Sequence, residues 1–130
     1  MQRHDITSID DIKLLVDTFY SRVRENQLIG PIFDERIQDR WPHHLDKMYR
    51  FWQTVLLSEH TYSGAPFVPH ATLPVDKVHF NTWLDLFCST IDELFMGEIA
   101  EEAKMRGMKM AEMFQYKLAY YRSNNATPLV

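Results

Sequence analysis

The stretch WPHHLDKMYRFWQTVL, residues 41–56, decides the fold. Its proline stands second, in the first turn of a helix, where a missing N–H costs no hydrogen bond. Trp41, Leu45, Met48, Trp52 and Val55 then recur at three- and four-residue steps and form one apolar stripe, which Phe51 and Leu56 widen. A helix with so broad an apolar face must bury it against other elements. The flanking sequence has the same period. Upstream, Ile9, Ile12, Val16, Phe19, Tyr20 and Val23 predict a helix running to about Asn26. Thr7 or Ser8 is its N-cap, and Asp10-Asp11 lie in the first turn, where negative charge suits the helix dipole. Gly30-Pro31 predicts a break, followed by a single turn at Ile32-Phe33. Downstream the period collapses from Glu59 to Pro74, where prolines leave room for a turn or two around His70-Ala71. A further helix is predicted from about Val75 to Leu94, with Phe80, Trp83, Leu84, Phe87 and Ile91 on one face. The last, from about Ile99 to Tyr121, carries Ala103, Met110, Met113, Phe114, Leu118 and Tyr121. Gly107 inside it costs about 1 kcal/mol relative to alanine, which a close helix contact would explain. No stretch of convincing length alternates with the two-residue period of a strand. The chain reads as all-α.

Its 130 residues suit a single domain over 1–130, with 1–7 and 123–130 expected to fray. Fourteen Lys and Arg against eighteen Asp and Glu give a formal charge of −4, which argues against a nucleic-acid partner. No apolar run approaches the roughly 18–20 residues needed to span a bilayer. Met1-Gln2-Arg3-His4-Asp5 opens no apolar leader, so no membrane association is expected. The lone Cys88 forms no internal disulfide and reads as a buried, inert thiol, which makes the cytoplasm the default compartment. Eight Phe, six Tyr, three Trp and seven Met fit either a well-filled small core or a cavity for a large flat apolar ligand.

The chemistry-bearing residues are few. There is no Gly-rich phosphate loop, no Gly-x-Ser-x-Gly elbow and no His-Glu-x-x-His pair. Of six histidines, His4 is terminal, and His60 and His79 near segment ends are expected to be exposed. His43 and His44 point about 100° apart on their helix; His44, one turn before Met48, faces inward and His43 away. His70 sits in the proline-flanked segment FVPHATLP, residues 67–74, between two apolar helices. A short rigid segment aims one imidazole at one fixed point, as a single metal–ligand bond requires. The same position equally suits a loop histidine bonded to backbone. Zinc asks for about four Cys or His ligands at compact spacing, and one cysteine on a core-like helix does not supply them. Haem asks for one axial histidine and a broad apolar cavity. With no Cys-x-x-Cys-His motif to attach it covalently, a haem would be held non-covalently, as a b-type haem is.

Five motifs occur in register: Phe19-Tyr20; Gly30-Pro31-Ile32-Phe33; Trp41-Pro42-His43-His44 leading to Phe51-Trp52; Pro69-His70-Ala71-Thr72-Leu73-Pro74; and Phe80-Asn81-Thr82-Trp83-Leu84-Asp85-Leu86-Phe87. In this order and spacing, from about residue 8 to 121, the chain resembles the truncated haemoglobins, specifically their group III. Groups I and II commonly carry Gly-Gly pairs flanking the second long helix, and this sequence has none. The resemblance implies a compact two-over-two helical sandwich enclosing a haem. It implies His70 as the proximal iron ligand, Tyr20 and Trp83 as distal donors, and His44 as a distal gate. It places Lys47 near a haem propionate, with Phe33, Met48, Phe51, Phe67, Phe80 and Phe87 completing the pocket. The implied function is reversible binding of O2, CO and NO by a monomer served by an unidentified reductant. Two other readings stay open: an NO-dioxygenase-like or peroxidase-like haem enzyme, and a haem-free helical interaction module with Tyr20, His44 and Trp83 in its core.

Overall fold

The computed structural model describes residues 3–64 and 73–124. Among these residues five helices follow in order: α1 (Ile9–Glu25), α2 (Gly30–Ile37), α3 (Trp41–Leu57), α4 (Lys77–Leu94) and α5 (Glu98–Asn124). α1 pairs with α3 and α4 with α5; α1 also packs on α4, and α3 touches α5. That is the all-α, two-over-two arrangement. No helix among the described residues is long and apolar enough to cross a membrane.

The periodic stripes become the core. Ile12, Leu15, Val16, Phe19 and Val23 of α1 meet Trp52 and Leu56 of α3, Phe87 and Ile91 of α4, and Ala100 and Ala103 of α5. Ser8 is the N-cap of α1, with its hydroxyl accepting from the Asp11 N–H. The break and single turn expected around Gly30-Pro31 are instead a two-turn helix, with the break displaced to residues 26–29. Asn26 Oδ1 accepts from the N–H groups of Leu28 and Ile29 (2.9 and 3.0 Å) and shapes that turn. Pro31 sits in the first turn of α2, where it starts a helix rather than ending one. Gly30 permits the join: a Cβ there would lie 2.7 Å from the Arg24 carbonyl oxygen and 2.9 Å from that of Val23.

Gly107 makes the predicted close helix contact. A Cβ at this position would stand 2.8 and 2.9 Å from two ring carbons of Phe87. That ring has little room to yield, since it stacks on Trp83 and Trp52 (centroids 5.2 and 5.0 Å) and meets Phe19 edge-on. Gly107→Ala therefore sets an overpacking cost of about 1–3 kcal/mol against a helix-propensity gain of about 1 kcal/mol. The expected net result is a Tm lowered by roughly 3–8 °C in a thermal melt. An unchanged or raised Tm would show that the ring stack yields.

The N-terminal segment, expected to fray over 1–7, is docked from residue 3 onward. Ile6 is 1 % exposed, and the His4 carbonyl accepts from Met96 N–H at 3.0 Å. The Asp5 carboxylate caps α5 by accepting from Ile99 and Ala100 N–H at 2.9 and 2.8 Å. Gly97 makes room with φ +139°; a Cβ there would fall 2.5 Å from that carboxylate. Burial alone would raise the Asp5 pKa, but bonds from Ile99, Ile6 and Ala100 N–H and the charge of His4 together hold it below its usual value. The cap is thus fully formed above the unfolded carboxyl pKa of about 3.9 and is lost as pH falls through the lower folded value. Asp5→Ala should cost about 1–2 kcal/mol in urea melts at neutral pH, and the difference should shrink as pH falls below the unfolded carboxyl value.

At the other end, α5 reaches Asn124, past the fraying expected from Ser123; residues 125–130 lie outside the described residues. Arg122 ties this end down, donating to Asp76 Oδ1, Leu73 O and Val75 O at 2.9–3.0 Å. α4 starts at Lys77 rather than Val75. Asp76 caps it, and His79 Nδ1 accepts back from the Asp76 N–H at 3.0 Å in a capping box.

Candidate functional site: an apolar cavity with a buried phenol

Between the two helix layers lies a cavity with apolar walls. The first wall is the α1–α2 corner, with Tyr20, Ile29, Ile32 and Phe33. α3 contributes His44, Lys47, Met48, Phe51 and Trp52. Tyr62 lines it just beyond α3, and Leu73 and Val75 just before α4. The far side is His79, Phe80 and Trp83 of α4 with Met110, Ala111 and Phe114 of α5.

Tyr20 is the most informative wall residue. It is 7 % exposed, and ring edges surround it: Phe19 at 4.9 Å, His44 at 5.1 Å, Trp41 at 5.8 Å and Phe33 at 6.0 Å. Burial alone pushes its pKa well above the ordinary phenol value, so the hydroxyl keeps its proton. Among the described residues that hydroxyl makes no hydrogen bond, and the side chain lines the cavity. A buried donor of this kind costs free energy unless something in the cavity accepts from it.

Trp83 brings a second donor. Its half-buried indole stacks on Phe87 (5.2 Å, 14°) and meets Phe19 edge-on at 5.5 Å. His44 is half-buried, its ring nearly perpendicular to Tyr20 (87°), while His43 faces solvent, as the helical phase requires. Lys47 is exposed at the rim.

Of the residues singled out from the sequence, Tyr20, Phe33, His44, Lys47, Met48, Phe51, Phe80 and Trp83 therefore converge on one cavity. Phe87 does not line it. Its ring, 1 % exposed, lies one helical turn on from Trp83 and packs behind the wall, toward Gly107. Phe67 and His70 lie outside the described residues. His79, expected to be exposed, is half-buried on the cavity wall because its Nδ1 turns back onto the backbone. Sequence reasoning also passed over Tyr62, whose phenol burial pushes up in pKa and whose ring meets Phe51 at 5.2 Å. Met110 and Phe114 belong to the α5 stripe, and the sequence alone does not single them out as cavity residues. Cys88 is half-buried, and burial is the main influence raising its thiol pKa, in keeping with an inert thiol.

Two helix pairs thus enclose an apolar cavity with aromatic walls and a protonated phenol on its lining. A family profile for bacterial-like globins matches residues 5–116. A group 3 truncated hemoglobin of Campylobacter jejuni is 32 % identical over 116 residues, covering 86 % of this chain and 91 % of that protein. The crystal structure of group III truncated hemoglobin from Campylobacter jejuni superimposes with a TM-score of 0.82 at 30 % identity, covering 90 % of this chain and 95 % of the other. The chain belongs to the bacterial-like globin family. Haem-based binding of diatomic gases is the general chemistry of that family.

Proposed function

We propose that the chain holds a b-type haem non-covalently on His70 and binds O2, CO and NO reversibly within the cavity. The buried Tyr20 hydroxyl carries this reading: it is a desolvated donor, with no acceptor among the described residues, on the wall of an apolar cavity. The walls fit a flat apolar macrocycle, with Ile32, Phe33, Met48, Phe51, Phe80 and Phe114 as its packing surfaces and exposed Lys47 at the rim to pair with a propionate. Such a haem would supply an iron able to bind a diatomic gas.

The remaining chemistry belongs to the chain. O2 held in the pocket polarises toward negative charge, and the Tyr20 O–H and Trp83 N–H stabilise it by donating hydrogen bonds. In a dry cavity these bonds exceed their usual worth of about 0.5–1.5 kcal/mol and slow release of the ligand. His44 stands between Tyr20 and the start of α3 and acts as the gate. The His70 imidazole would hold the iron. The protein works as a cytoplasmic monomer kept reduced by an unidentified reductant; a single cysteine suits a reducing compartment.

Haem titration of the purified protein, followed by absorption spectroscopy, tests this directly. One haem per chain is expected, with an intense violet-edge band that shifts when CO is added to the reduced form. A chain that takes up no haem and shows no such band is the helical interaction module instead.

A further inference from the structure

Trp41 does not line the cavity, yet it touches two polar side chains that do, Tyr20 of α1 and His44 of α3. Its ring meets Tyr20 at 5.8 Å and His44 at 5.7 Å, edge-on in each case. Its other contacts face outward. The indole Nε1–H donates to Asp34 Oδ1 at 3.1 Å, and the Arg24 guanidinium lies over the indole face at 4.5 Å. The same Asp34 oxygen accepts from Arg24 Nε at 3.3 Å, closing a three-membered set across α1, α2 and α3. Trp41 is 6 % exposed, whereas the Arg24 and Asp34 side chains are about half exposed, at 50 % and 47 %. Beside the indole runs a groove lined by Tyr20, Ser21, Arg24, Glu25, Trp41 and Leu45.

We propose that Trp41 is the positioning residue for the Tyr20–His44 pair, and that Arg24 and Asp34 form the surface latch that holds it. Edge contacts fix a phenol and an imidazole only if the third ring is itself fixed. The bond to its N–H and the cation over its face fix Trp41 in both tilt and rotation. Because the latch is half exposed it is weak, and water competes for both partners. When it opens, the groove gives the indole room to move, Tyr20 and His44 lose their shared buttress, and the way past His44 widens. The inference rests on the gas-binding reading of the cavity.

Four variants test it: Asp34→Ala, Asp34→Asn, Trp41→Phe and the double Asp34→Ala/Trp41→Phe. CO association by flash photolysis and the C–O stretch by infrared spectroscopy are measured on the haem-loaded protein. Exchange of the Trp41 indole N–H is measured by NMR on the haem-free chain. Asp34→Ala should speed CO association roughly three- to tenfold, broaden the C–O band and accelerate indole exchange by a similar factor. Asp34→Asn retains an acceptor oxygen and should restore most of the parent behaviour. Trp41→Phe should reproduce the Asp34→Ala kinetics, and the double variant should add nothing further. Unchanged CO association in Asp34→Ala, additive effects in the double variant, or indole exchange no faster than in the parent would each overturn the latch. Failure of the parent itself to take up haem would instead sink the gas-binding reading, leaving indole exchange as the sole judge of the latch.

Discussion

His70→Gly protein should leave purification without haem and take it up only when imidazole is supplied. A b-type haem held on His70, as proposed, has no covalent tether, so the bond to that imidazole and the apolar walls would carry its retention. Tyr62, before it in the chain, and Leu73, three residues after it, both line the cavity. The glycine substitution removes the imidazole and leaves a space that free imidazole can fill. Loss should be nearly complete at micromolar protein, with recovery of the ferrous spectrum at millimolar imidazole. Full haem content with an unchanged spectrum in the variant would assign the iron to another residue, and His79 on the cavity wall would be the next to test.

The second large effect belongs to Tyr20. Tyr20→Phe keeps the ring and its contacts with Phe19, Phe33, Trp41 and His44 while deleting the one protonated oxygen. A hydrogen bond to a charge-bearing acceptor in a desolvated site is worth about 1.5–3 kcal/mol, so O2 should leave roughly ten- to a hundredfold faster. CO carries less charge, and its release should change by no more than about twofold. Trp83→Phe should act in the same direction but more weakly, because the half-buried indole is partly solvated. The double variant should fall short of the product of the two, since donors to a shared acceptor substitute for one another. Stopped-flow ligand replacement measures all four proteins. Equal acceleration of O2 and CO would point to altered access rather than a lost bond.

What could be read from the sequence follows physical range. α1, α3 and α4 were legible because apolar period, caps and first-turn proline are all local, and they agreed. α2 was misjudged because Gly-Pro was weighed as a terminator. Only the approach of Gly30 to the Arg24 carbonyl shows that the pair marks a beginning. Asp5 had no local signature at all, since its partners are the N–H groups of Ile99 and Ala100, more than ninety positions away. On the cavity, His44 stood out as a polar group on an apolar stripe, whereas Tyr20, Lys47, Met48 and Phe51 were named by the resemblance to the truncated haemoglobins. Met110, Ala111 and Phe114 were not singled out, because a stripe that lines a cavity and one that fills a core have the same period. His79 was hidden by its position in a first turn, where exposure is the usual outcome and the capping box reverses it.

The placement of the indoles has an optical consequence. The chain has three tryptophans; Trp52 and Trp83 line the cavity and Trp41 braces Tyr20 and His44, so none reports on a remote part of the surface. Native emission is therefore a label-free gauge of one location. A flat chromophore seated among these rings would absorb where they emit and quench them by energy transfer, so that loading, loss and exchange of the guest could be followed in real time by fluorescence alone.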